Sequence, residues 1–280
     1  GNGMLGEETP EEFKNSILQG VTVVDSPLWL YIPGICILFL ALIGLYCSFQ
    51  LPRLPAKNPD LKISFSLRGF FGVYWTQIQD NAGKPLLAVT GAFSAFFIIA
   101  GVALLNISEY ASYLGISDTL ASAQGAFLSV AIGIGGVFVG LKSKERVRPR
   151  FILVGAVGML VGFTVLGFLP KNYWLVVTAL SISGFFAGLY MIPLQSLIQI
   201  LTTDENRGRF IGMSSMLTMV GFVTGNYLFR LGSTAFEKTT AAPKTYLFCA
   251  AVAAIMLVPL YFRWVPWFQR TIDAIAEEEL

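Results

Sequence analysis

The stretch Lys142-Ser-Lys-Glu-Arg-Val-Arg-Pro-Arg150 runs directly into Phe151-Ile-Leu-Val-Gly-Ala-Val-Gly-Met-Leu-Val-Gly-Phe-Thr-Val-Leu-Gly-Phe168. A basic turn thus feeds the apolar run 150–169, long enough to cross a bilayer's hydrocarbon core, which takes about 20 residues of helix. Six further runs share this character, at 28–50, 86–108, 120–141, 173–201, 209–231 and 245–265. Each is too long for a barrel strand and lacks period-two alternation, so helix is the state that satisfies its backbone in lipid. Composition agrees: of 280 residues, 55% are hydrophobic and 13% charged, whereas a soluble domain carries about 25% charged residues. The chain reads as an all-α polytopic membrane protein with seven transmembrane helices. That class excludes a water-soluble enzyme, a secreted module and a nucleic-acid binder.

The basic residues set the topology. Arg53, Lys57, Lys62, Arg68, Lys84, Lys142, Lys144, Arg146, Arg148, Arg150, Arg207, Arg209, Arg263 and Arg270 fall on one side of the seven crossings. Only Lys14, Lys171, Lys238, Lys244 and Arg230 fall on the other. Short loops rich in Lys and Arg stay cytoplasmic, so the amino end is expected outside and the carboxyl end inside, with the protein in the inner membrane. Residues 1–27 then form an extracytoplasmic loop, 28–50 a first helix, 51–85 a cytoplasmic linker, 86–265 a six-helix bundle and 266–280 a cytoplasmic tail. Within the linker, Phe70, Phe71, Tyr74, Trp75 and Ile78 recur at helical spacing, with Arg68, Gln77, Gln79 and Asp80 off that face. Such a segment either lies in the headgroup plane or folds down onto the protein.

Chemistry at membrane depth needs polar groups, and a charge at the bilayer centre costs about 2.5–3.5 kcal/mol or more. No span carries Asp or Glu in its middle; Glu109 and Arg230 sit near helix ends. The chain has no histidine. Imidazole-based nucleophile systems and His-ligated zinc are therefore not expected, and neither is any metal, cofactor or catalytic centre. Cys36, Cys47 and Cys249 lie in apolar runs and read as small buried hydrophobes. What remains is uncharged hydrogen-bonding capacity. Gln195 and Gln199, four apart on one helix face, follow Pro193, which removes the helical donor to the Leu189 carbonyl and is expected to kink the helix there. With Tyr190, Asn106, Gln124, Ser214 and Asn226 they form the candidate substrate cavity, and Ser181, Ser183, Ser215 and Thr218 are further candidates for its lining. Interhelical hydrogen bonding is the competing use of the same groups. The glycines at 133, 135, 136 and 140, and at 155, 158 and 162, read as close helix contacts. The cluster 142–150 reads as a topological anchor attracted to anionic lipid.

Three stretches carry a family resemblance. Gly136-Val-Phe-Val-Gly-Leu-Lys-Ser-Lys-Glu-Arg-Val-Arg-Pro-Arg150, between the second and third helices of the six, resembles the glycine-and-basic loop of the major facilitator superfamily. Asp204-Glu-Asn-Arg-Gly-Arg-Phe-Ile-Gly212 resembles the superfamily's acidic-x-Arg-Gly turn. Ala187-Gly-Leu-Tyr-Met-Ile-Pro-Leu-Gln-Ser-Leu-Ile-Gln199 and the linker Leu54-Pro-Ala-Lys-Asn-Pro-Asp60 resemble the bacterial lysophospholipid transporter branch, including forms fused to a glycerophospholipid acyltransferase. The resemblance implies helices 6–12 of a twelve-helix fold, whose amino-terminal half is the missing partner, and alternating access around a site near the midplane. It also implies a cytoplasmic gate at Gly136, Gly140, Lys142, Lys144, Glu145, Arg146, Arg148 and Arg150. The loop departs from the pattern at Leu141, where the superfamily has an acidic residue, so Glu145 is the local ion-pair partner. The substrate implied is lysophospholipid moved for reacylation, with an acyltransferase domain downstream. Other readings are an exporter of small amphipathic compounds or drugs, a membrane anchor for an appended lipid-modifying domain, and a non-transporting scaffold.

Overall fold

In the computed structural model, residues 31–50, 67–143, 147–202, 207–235 and 241–278 are described. The chain divides into two units at Ile63 and Ser64. In the first, α1 (Ile32–Phe49) opens with Pro33 in its first turn, where a missing N–H is harmless. Ile35, Leu38, Phe39 and Phe49 are exposed along it, as suits a helix apolar on every side.

The second unit is α2 (Leu67–Asp80), α3 (Pro85–Leu114), α4 (Asp118–Lys142), α5 (Arg150–Phe168), α6 (Tyr173–Leu201), α7 (Arg207–Ala235) and α8 (Ala241–Pro259). A π-type turn at Leu260–Trp264 joins α8 to α9 (Val265–Glu278). Among the described residues, five helices are both long and apolar enough to cross a membrane: α3, α4, α5, α6 and the continuous run Ala242–Ala274. Two expected spans differ from these. The first is α1, with 18 residues. The second is α7, whose 29 residues reach about 43 Å at 1.5 Å each, more than the roughly 30 Å core; it is long enough but more polar. The boundary expected at 265 falls inside a continuous helix, and Phe268 and Ile272 of the expected tail are buried in the core.

The connections follow local chemistry. Gly115, with φ of 70°, ends α3 in the left-handed conformation, so α4 starts only three residues later. Asn172 caps α6, its side-chain oxygen accepting from the Trp174 and Leu175 amides at 3.1 and 3.3 Å.

Helix α6 is the hub, packed against α3, α4 and α5, while α3 pairs with α7 and α5 with α8. In lipid there is no hydrophobic force between helices, so close backbone approach must supply the attraction. At the α4–α6 seam, a Cβ built on Gly188 would lie 2.9 Å from the Gly136 nitrogen; at the α5–α6 seam, one on Gly155 would lie 2.6 Å from the Tyr190 nitrogen. Gly133 and Gly140, by contrast, face open space.

Helix α2 meets α7. Trp75 is exposed while Gln77 is buried, reversing at these two positions the face assignment read from the spacing. Gln77, Asn81, Lys84, Leu201, Thr202 and Phe210 share a pocket there. The ends of α6 and α7 present polar backbone and Thr202, so an amide fits that contact better than an indole. Phe70, Phe71 and Tyr74 lie outside the residues whose side chains are described.

Substituting Gly188→Val must push α4 off α6. Overpacking of this kind costs about 1–3 kcal/mol, so the variant should unfold in detergent at lower temperature than the parent, read by tryptophan fluorescence. Gly140→Val, at an open position, should leave the midpoint unchanged.

Candidate functional site

Gln195 and Gln199 project from the last turns of α6 and are exposed. Across from them α7 presents Ser214, Ser215 and Thr218, and the three elements α3, α6 and α7 close a groove of about 110 Å³. Its apolar lining is Phe93, Ile198 and Ile211. The Ser215 hydroxyl donates to the Ile211 carbonyl at 2.9 Å and the Thr218 hydroxyl to the Ser215 carbonyl at 2.7 Å. Their protons are thus spent within the helix, and their oxygens are left as acceptors. The glutamine amides bring both donors and acceptors. Among the described residues, no charged side chain lines the groove.

The groove is off-centre. Gln195 lies eight residues past the middle of α6, about 12 Å toward the end that bears the basic loops. The groove thus lies nearer the α6 end that leads toward the basic residues Arg207 and Arg209.

The remaining candidates are elsewhere. Tyr190 is fully buried, its hydroxyl donating to the Ala92 carbonyl of α3 at 2.9 Å, and its ring packs on Phe96 at 5.7 Å. It ties α6 to α3. Asn106 is fully buried and donates to the Ala242 carbonyl of α8 at 3.0 Å. It sits in the same run of α3 as Tyr110, whose ring meets Tyr246, and Tyr246 in turn stacks on Phe163. Gln124 is buried in α4, and its amide nitrogen has no partner. Asn226 is half-buried beside Gly101, at the α3–α7 seam. Pro193 is buried, and α6 runs unbroken through it.

Of the gate candidates, Gly136 packs beside Ile192, Gly140 faces open space, and Lys142, Arg148 and Arg150 are exposed. Lys144, Glu145 and Arg146 lie outside the described residues.

Phe93 and Ile211 had no signal in the sequence. Phe93 stands among Phe96 and Phe97 in one apolar run, and only packing selects it. The polarity of α7 was the readable clue, since Ser214, Ser215 and Thr218 recur at spacing that returns them to one face.

The model for the Major Facilitator Superfamily matches residues 86–277, spanning α3 to α9. The chain belongs to the major facilitator superfamily. No match was found among curated proteins or among solved structures. Helices α3 to α8 are thus one six-helix bundle of a facilitator, and a multi-pass membrane protein follows from the family and the apolar helices.

The burial of Tyr190 separates packing from substrate contact. Tyr190→Phe should lower stability by about 1 kcal/mol, the net worth of one hydrogen bond, and leave the apparent substrate affinity of the facilitator unchanged. A thermal melt and a transport assay on the same preparation check both.

Proposed function

We propose that this major facilitator type transporter uses the groove at Gln195, Gln199, Ser214, Ser215 and Thr218 as a wall of its substrate pathway, and that the cargo is an amphipathic molecule of the lysophospholipid class. One observation carries the reading: hydrogen-bonding side chains that bear no charge line the groove beside Phe93, Ile198 and Ile211. An ion would find no countercharge there, whereas a zwitterionic or hydroxylated headgroup finds amide donors and hydroxyl acceptors, with apolar side chains for its first methylenes. The resemblance of residues 187–199 to the lysophospholipid branch supports the same cargo.

A facilitator works by rocking two bundles about a shared site. The exposed face of α6 that carries the glutamines is the face a second bundle would meet. That bundle is the amino-terminal half expected from the resemblance, and any carboxylate for ion coupling would come from it. The gate is proposed at the basic loop that ends in Arg148 and Arg150, and an appended acyltransferase would receive the cargo on the basic side. By the distribution of Lys and Arg, that side is cytoplasmic, and the resemblance to a bacterial branch makes the inner membrane the one proposed.

The test is uptake of labelled lysophosphatidylethanolamine by proteoliposomes holding the intact transporter. Gln195→Leu/Gln199→Leu should reduce uptake at least tenfold while membrane insertion and detergent stability stay normal. Undiminished uptake would sink the site. Uptake that favours cationic amphiphiles over lysophospholipid would move the cargo to the exporter class.

Orientation has its own check. In a background with Cys36, Cys47 and Cys249 replaced by Ala, Ser117→Cys should react with an impermeant maleimide added to intact cells, and Ser143→Cys should react only after lysis. The reverse pattern would invert the topology.

A further inference from the structure

Where α2 turns into α3, the chain closes a pocket of about 320 Å³ with the adjoining ends of α6 and α7. Gln77 and Asn81 line it from α2 and the turn that follows, Lys84 and Leu86 from the start of α3, and Thr202 and Phe210 from the end of α6 and the start of α7. Leu86 stands seven residues before Phe93, and Thr202 seven residues after Gln195. Seven residues return a helix to nearly the same face about 10 Å further along. The pocket therefore continues the α3–α6–α7 seam of the glutamine groove toward its basic end, and the two share no described lining residue.

Three kinds of donor serve this pocket. Gln77 is only 8% exposed, yet no hydrogen bond among the described residues engages its side-chain amide. An unbonded buried amide is costly, so a ligand that bonds it is favoured. Lys84 is exposed, and its ammonium forms no ion pair with a described residue. Lys84 is also the residue that caps α3; its backbone is extended there, its side chain makes no capping bond, and Pro85 follows. The amides of Leu86 and Leu87 therefore have no acceptor within the helix, and they carry the positive end of a helix of 30 residues. Acceptors stand opposite. The Asn81 side-chain nitrogen donates to the Gln77 carbonyl at 2.8 Å, and the Thr202 hydroxyl donates to the Ile198 carbonyl, so the side-chain oxygens of both remain free to accept. The last carbonyls of α6 add further acceptors. Among the described lining residues, Lys84 bears the one charge.

We propose that this pocket binds an organic phosphate with a hydroxylated neighbour, a group of the glycerol phosphate kind. The phosphate oxygens accept from the Lys84 ammonium, the α3 N-terminus and the Gln77 amide, a donor set suited to an anion. The hydroxyls donate to Thr202, Asn81 and the terminal carbonyls of α6. At about 320 Å³ the pocket falls at the small end of the roughly 300–1,000 Å³ of small-molecule sites, more than a bare inorganic ion fills. Free glycerol phosphate and the headgroup of phosphatidylglycerol present the same chemistry. The site is read from its own donors and does not rest on the cargo proposed for the glutamine groove.

The test is thermal unfolding of the intact transporter in detergent, titrated at constant ionic strength with glycerol 3-phosphate or with short-chain phosphatidylglycerol. Glycerol and short-chain phosphatidylcholine serve as controls. A saturable rise in the midpoint with glycerol 3-phosphate, and none with glycerol, supports the site with a soluble ligand. A rise with phosphatidylglycerol, and none with phosphatidylcholine or free glycerol 3-phosphate, supports it with a lipid headgroup. In either case Lys84→Gln should raise the half-saturating concentration about tenfold or more, the worth of one hydrogen bond to a charged group, while Lys84→Arg should bind as the parent does. Gln77→Leu should weaken binding in the same direction; should that buried change unfold the protein, the exposed Lys84 pair still decides. No rise with either phosphate, or a rise that Lys84→Gln leaves unchanged, would overturn the site. The Gln195→Leu/Gln199→Leu variant should keep the parent's response, so failure of the groove and failure of this pocket are told apart.

Discussion

The approach of α6 to its neighbours is the contact on which the rest depends. Once helices are inserted, lipid tails compete on equal terms with apolar side chains, and only contacts tighter than lipid can make hold a bundle together. Glycine provides them on both flanks of α6: Gly188 beside the Gly136 backbone, and Gly155 beside the Tyr190 backbone. The hydroxyl of Tyr190, donating to the Ala92 carbonyl, adds the third side. With three sides engaged, α6 has one segment left for polar groups that touch no helix, and Gln195 and Gln199 occupy it.

Helix α7 shows the complementary economy. It is less apolar than the spans around it because part of its surface meets the groove instead of lipid or packed helix. Ser214, Ser215 and Thr218 are tolerated there because their hydroxyls can bond within the helix, as those of Ser215 and Thr218 do. Its other contact, to α3, is again made through glycine: a Cβ on Gly101 would lie 2.6 Å from the Phe222 carbonyl oxygen, and one on Gly221 would lie 2.5 Å from that of Ser94. The two faces of α6 thereby acquire different surroundings. One meets a groove whose described polar lining is uncharged, and the other an apolar groove.

Most of the architecture was legible in the chain because hydrophobic length and loop charge act locally. A run such as 150–169 reads as a span wherever it occurs, and the basic turn 142–150 marks its end regardless of what packs nearby. The spacing of Gln195 and Gln199 put them on one face without any tertiary information. The crowding of glycine in α4 and α5 signalled close contacts, though not that Gly133 and Gly140 stay clear of them.

Composition, the side that carries the basic loops and the pairing of the two glutamines were determined by the sequence, since each depends on residues near one another along the chain. The tertiary structure alone decided that Ser214 joins the glutamines while Tyr190, Asn106 and Gln124 are buried elsewhere and Asn226 sits at the α3–α7 seam. It also placed Gln77 inward and Trp75 outward, set the groove toward the basic end of α6, and left an apolar groove between α5 and α6. Amides and hydroxyls look alike in a sequence whether they bind a neighbouring helix or a ligand. The difference lies in which helix stands opposite, and that is settled only when the helices pack.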